Sequence, residues 1–177
     1  MNWTYEYAYS ALLLQCLLLF FYLVSKHLPT YQNTCFRRLL EAGCVTTALD
    51  ILTCVMLTHM RVVPTIVLQT GMMLYYIFYV GRMYLLYEFT LCLTGRKYRI
   101  RRRTDRLCGI PMLLFSAAML TVPWTHFVYR VKADGTFLHT RTYNFLYLAF
   151  LFYLFLCLFL VIRHRDHVRK AQRIGFG

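Results

Sequence analysis

Five stretches of this chain are apolar for about the length of a membrane-crossing helix, and polar residues interrupt them at defined places. The first covers about 7–25, where 12–24 is almost unbroken Leu, Phe and Tyr and Gln15 is the main polar interruption. Trp3, Tyr5 and Tyr7 precede it as an interfacial aromatic belt. The second, about 39–60, is less apolar and carries Glu41, Thr46, Thr47, Asp50, Thr53, Thr58 and His59. A helix with that much polarity is expected to face other helices and not lipid. The third, about 65–94, holds Gln69, Arg82 and Glu88 among many tyrosines, and is long enough to tilt. The fourth, about 107–122, has Pro111 near its start and Pro123-Trp124 near its end. The fifth, about 143–162, is nearly all Leu, Phe and Tyr.

The segments between these runs complete the prediction. Pro29 ends the first helix, and Asn33 or Thr34 is placed to cap the second. Around Asp134-Gly135, residues 127–139 alternate, which is a type I′ hairpin signal. The fold class predicted is an all-α integral membrane protein with five transmembrane helices and a short extracellular β-hairpin between the fourth and fifth. Its helical domain covers 1–163, and a basic cytoplasmic tail covers 164–177. Residues 1–6 lack Lys and Arg, and the run after them exceeds a signal-peptide core, so this segment reads as a retained first helix.

Charge sets the orientation. The chain has 177 residues, is 59% hydrophobic and 18% aromatic, and carries a formal net charge of +13. Lys and Arg are clustered between the apolar blocks, most densely at Arg96, Lys97, Arg99, Arg101, Arg102, Arg103 and Arg106. In a soluble domain such a run would suggest nucleic acid, but apolar runs of this length exclude that class. Between apolar spans it reads as a cytoplasmic anchor. Fifteen basic residues fall in segments 26–38, 96–106 and 163–173, against four at Arg61, Arg130, Lys132 and Arg141. The expectation is a multi-pass cell-membrane protein with its N-terminus outside and its C-terminus cytoplasmic. The partners expected are anionic lipid head groups, a second copy of the chain in a homodimer, and a small-molecule ligand at the outer face.

Candidate chemistry is sparse. Counted from the inner ends of their spans, Asp50 and Arg82 both lie roughly 17 Å from the cytoplasmic side, so they are expected to pair. The pair reads either as a structural lock on packing or as a switch. Glu41 and Glu88 form a second polar layer nearer the cytoplasm. His59, Trp124, His126, Asp134 and His139 fall at the outer face as candidate sensing residues, or as scattered surface groups. The seven cysteines have no CxxC pair and no metal spacing with histidine, so they read as small apolar packing residues. Neither metal nor cofactor is expected. No G-x-S-x-G, P-loop, H-E-x-x-H or G-x-G-x-x-G motif occurs, so no enzyme is expected in these residues.

Three short motifs carry a resemblance: Leu28-Pro-Thr-Tyr-Gln-Asn33, Leu49-Asp-Ile51 and Lys132-Ala-Asp-Gly-Thr-Phe137. With the order of spans, they resemble the N-terminal multi-helix transmembrane sensor region of bacterial (Firmicutes) diguanylate cyclase (GGDEF) or histidine kinase proteins. Such regions usually have seven or eight helices and a cytoplasmic output domain. Here five spans are counted, and neither a GGDEF sequence nor a kinase histidine box follows. The resemblance implies a sensory input module of a bacterial signalling protein, its output domain absent from this chain. The other readings are a transporter or channel subunit, or a structural membrane-interaction protein.

Overall fold

The computed structural model describes residues 3–25, 30–59, 62–93, 98–125, 129–131, 137–139 and 144–163. They contain five helices: α1 (Trp3–Val24), α2 (Tyr31–Thr58), α3 (Thr65–Leu93), α4 (Tyr98–Thr125) and α5 (Asn144–Arg163). Two of these begin well before the apolar residues that predicted them. Thr30, just after Pro29, is the N-cap of α2, and its hydroxyl accepts the Asn33 N–H at 3.3 Å. The cap expected at Asn33 or Thr34 is therefore one turn late. Thr34 lies inside the first turn, its hydroxyl donating to the Thr30 carbonyl at 3.3 Å. Likewise α4 starts at Tyr98, so residues 98–106 of the basic run are helix and not loop. Lys and Arg are good helix formers, and their charge does not prevent the turn from propagating.

α3 is the central helix. Its buried Leu68, Met72, Tyr76, Val80, Tyr87 and Leu91 recur at intervals of four or seven residues and so form one stripe. That stripe packs into one core with Phe115, Met119 and Val122 of α4 and Tyr153, Cys157 and Leu160 of α5. On its other side α3 meets α2, whose buried positions are small: Cys35, Gly43, Thr46, Thr47 and Thr53. Small residues let two helix backbones approach closely. α1 rests on α2, and none of its residues 7–24 is buried. Between α4 and α5, which touch each other far less than each touches α3, an apolar groove of about 630 Å³ opens past Leu114, Phe115, Leu148 and Phe152.

Side-chain contacts fix the helix directions. Tyr22 meets Asn33 and Gln15 meets Thr47, so α1 and α2 are antiparallel. Thr46 meets Phe78 and Cys35 meets Cys92, so α2 and α3 are antiparallel. Gly81 faces Met112 and Gly109 faces Tyr84, which makes α4 antiparallel to α3. Tyr79 stacks on Phe150 and Tyr87 lies against Tyr153, which makes α5 parallel to α3. The start of α2, the end of α3, the start of α4 and the end of α5 thus gather at one end of the bundle.

The predicted fold class is corrected on two points. Among the described residues, α1, through Tyr7–Val24, and α2 are the helices both long and apolar enough to cross a membrane. α3 has the length, but its five tyrosines with Gln69, Arg82 and Glu88 lower its hydropathy, as suits a helix surrounded by protein. The apolar parts of α4 and α5, Leu107–Val122 and Tyr147–Arg163, are shorter. Five transmembrane helices are therefore not supported, and two apolar helices point to a membrane protein. The second point is the hairpin. Tyr129–Val131 and Phe137–His139 pair over three residues each, with Arg130 opposite Leu138. A two-stranded ladder this short does not hold itself together, and the Asp134-Gly135 turn lies outside the described residues. The fold is a helical bundle, and no extracellular β-hairpin forms part of its class.

A polar cluster between three helices

The predicted Asp50–Arg82 pair does not form. The one ion pair among the described residues is Arg37 Nε to Glu41 Oε1 at 2.7 Å, an exposed pair one turn apart on α2. The register of α2 on α3 explains the failure. Thr46 lies opposite Phe78, Thr53 opposite Gly71, and Gly43 opposite Arg82. Asp50 is seven residues beyond Gly43, so it stands about 10 Å along the axis from the level of Arg82. There its neighbour on α3 is Tyr75. The equal-depth estimate took 39 and 94 as level ends, but α2 begins at Tyr31 and its Cys35 already faces Cys92.

The second polar layer separates in the same way. Glu41 is bound to Arg37 on the exposed side of α2. Glu88 accepts a hydrogen bond from the Tyr31 hydroxyl and lies 3.9 Å from Cys35 Sγ. Arg82 serves neither acid.

Arg82 instead faces a cavity of about 220 Å³ bordered by Gln15 of α1, Leu39, Leu40 and Gly43 of α2, and Met83 and Leu86 of α3. Gly43 makes the approach possible. A β-carbon there would lie 3.5 Å from Gln15 Oε1 and 4.0 Å from Arg82 Nε, so any longer side chain would enter the cavity. Gln15 is held by Thr47, whose hydroxyl donates to its Oε1 at 3.0 Å. That bond uses the amide oxygen as acceptor. Thr46 donates to the Ala42 carbonyl at 2.7 Å, within its own helix. The cluster therefore presents a half-buried guanidinium and a carboxamide to one small space, with apolar walls. Its chemistry suits a group rich in hydrogen-bond acceptors.

Sequence reasoning singled out Arg82 but treated Gln15 as a mere interruption and passed over Gly43. The detectable signal was Gln15 itself, because a lone amide in an otherwise apolar span needs a polar partner.

The outer-face candidates are not assembled by the described residues. His59 ends α2, with its Nδ1 3.1 Å from the Val55 carbonyl, and is exposed. Trp124 is 81% exposed near the end of α4. His139 falls in the short strand Phe137–His139, while His126 and Asp134 lie outside the described residues. Of the anchor residues, Arg99, Arg101, Arg102, Arg103 and Arg106 belong to the first turns of α4, and Arg96 and Lys97 lie outside the described residues. No protein-family model matches the chain, and no curated protein and no solved structure matches it.

Proposed function

We propose that the chain is a membrane-embedded sensory input module of a bacterial signalling protein, and that it reads a small acceptor-bearing ligand at the Arg82 cavity. One observation carries this reading: Arg82 faces a cavity shared by α1, α2 and α3 with no carboxylate within 4.0 Å among the described residues. An uncompensated guanidinium in apolar surroundings is costly, so an anionic or carbonyl-bearing group that supplies acceptors gains directly. At about 220 Å³ the space is below the usual size for drug-like ligands and suits a carboxylate, a phosphate or part of a lipid head group. A ligand there touches three helices, so it favours whichever packing of α1 against α2 and α3 presents Arg82 best. It shifts that equilibrium only by its difference in affinity for the two arrangements. No catalytic step is assigned to these residues.

The orientation proposed has the N-terminus outside. The end of the bundle that gathers the start of α2 and the ends of α3 and α5 faces the cytoplasm. The charge asymmetry supports it, because Arg37, Arg38 and Arg163 and the basic residues of 96–106 belong to segments at that end. Anionic lipid is then both a neighbour and a candidate ligand.

The test is hydrogen exchange of α1 in nanodiscs holding the full chain. Adding phosphatidylglycerol to phosphatidylcholine discs, or acetate or phosphate to the buffer, should slow exchange in wild type and not in R82Q. Unchanged wild-type exchange with every probe would rule out ligand reading at this cavity. A transporter or channel subunit would instead give R82-dependent anion flux in sealed vesicles.

A further inference from the structure

Where α2 begins and α3 ends, two thiols, a carboxylate and a phenol converge. Cys92 Sγ lies 3.3 Å from Cys35 Sγ, and the two residues are 57 apart in sequence on different helices. Cys35 Sγ lies 3.9 Å from Glu88 Oε1, and the Tyr31 hydroxyl donates to the same oxygen. Cys35 is 1% exposed, whereas Cys92 is half-buried. The donors run in one direction: Cys92 to Cys35, and Cys35 to Glu88. Buried thiols used only as small packing residues need no carboxylate beside them. This pair has one, held by a tyrosine.

We propose that Cys35 and Cys92 are an oxidant-responsive dithiol that closes into a disulfide between α2 and α3, with Glu88 as the proton acceptor. The oxidant class is a peroxide. Cys92, the more accessible thiol, attacks a peroxide oxygen as its thiolate. The O–O bond breaks, hydroxide leaves and takes up the thiol's proton as water, and Cys92 becomes a sulfenic acid. Cys35 then gives its proton to Glu88, and its thiolate attacks Cys92 Sγ. The S–O bond breaks, and the departing hydroxide takes the proton back from Glu88 as a second water. The balance is two thiols and hydrogen peroxide to one disulfide and two waters. The sulfurs must move roughly 1 Å closer to reach the bonding distance of about 2.05 Å, which side-chain rotation can supply.

The consequence is mechanical. The Cys35–Cys92 bond would pin the α2–α3 interface at the end of the bundle where α2 starts, and this does not depend on the Arg82 reading. A second thiol pair, Cys16 and Cys44 across α1 and α2, has Arg82 nearby. It is the internal control.

The test treats the full chain in nanodiscs with graded hydrogen peroxide, blocks free thiols with N-ethylmaleimide and maps peptides without reduction. The expected product joins the Cys35 and Cys92 peptides, two hydrogens lighter than the reduced pair, and dithiothreitol reverses it. E88Q should slow closure several-fold at an unchanged final yield, and C16S should change neither. The proposal is overturned if Cys35 is recovered alkylated, or joined elsewhere, at peroxide levels that oxidise other thiols. Unchanged kinetics in a folded E88Q would remove Glu88 from the chemistry. The wild-type map needs no substitution and decides the dithiol even if E88Q does not fold.

Discussion

The Tyr153 hydroxyl of α5 donates to the Cys108 carbonyl of α4 at 2.9 Å, three residues before Pro111. Because α4 starts at Tyr98, Pro111 sits in the helix interior. It has no N–H for the Leu107 carbonyl four residues back, and its ring crowds that carbonyl, which weakens the turn to which Cys108 belongs. In apolar surroundings such groups must be satisfied from outside the helix. Tyr153, 1% exposed, gives the adjacent Cys108 carbonyl a donor from another helix while its ring packs against Tyr84 and Tyr87 of α3. Y153F keeps the ring and removes only the donor. It should lower stability by about 1 kcal/mol, and Y153A by about 3–5 kcal/mol. Thermal denaturation in micelles should rank them in that order. An undiminished stability of Y153F would mean that the hydroxyl does nothing at the proline.

The separation of Asp50 from Arg82 has its own consequence. An ion pair in apolar surroundings is strongly coupled, because removing one partner strands the other. Groups about 10 Å apart without a shared partner are nearly additive. The cycle of D50N, R82Q and the double variant should therefore give a coupling below about 0.5 kcal/mol. A coupling of several times that would restore the pair and contradict the observed α2–α3 register.

Much of the helix plan was legible because α1 and α5 are continuous apolar runs, and little but a helix suits such a run. The boundaries of α2 and α4 were not, because both helices begin in polar sequence. Thr30 caps a turn that contains Tyr31, Gln32 and Asn33, and 98–106 is helical although six of its nine residues are charged. That shift of eight residues at α2 moved the whole interface register, which is why the expected pairing of Asp50 with Arg82 does not form. The Cys35–Cys92 contact was out of reach for the same reason, since it exists only once the register between two helices is known. Gln15 and Gly43 illustrate a different limit: a cavity is set by what three helices leave unfilled, and no single helix pattern contains it.

Gly43 tests whether that cavity matters. A β-carbon there meets Gln15 Oε1 at 3.5 Å, an ordinary contact, so G43A fits. Ala also favours the helix over Gly by about 1 kcal/mol. G43A should be neutral to slightly stabilising. G43L must push into the space of Gln15 and Arg82 and should cost about 1–3 kcal/mol. On the ligand reading, G43L also abolishes the lipid-dependent protection of α1, and G43A retains it. Protection retained in G43L would move the ligand away from this cavity. The measurements are thermal denaturation and hydrogen exchange in nanodiscs.

The proposed orientation makes a prediction at Tyr98, the first residue of α4. The starts of α2 and α4 and the end of α3 share one end of the bundle, and the proposed orientation puts that end on the cytoplasmic side. Segment 96–106 carries seven basic residues, and moving that many across a bilayer opposes the charge bias that orients membrane proteins. In a background with the native cysteines replaced, Y98C should react with a membrane-impermeant maleimide only when the cytoplasmic side is open to it. A cysteine at Val62, at the opposite end and 84% exposed, should react from outside. Labelling of both positions from the same side would break the bundle geometry. The reverse pattern would keep the geometry and invert the protein, leaving Arg37, Arg38 and the α4 arginines on the outer face, against the charge rule on which the orientation rests.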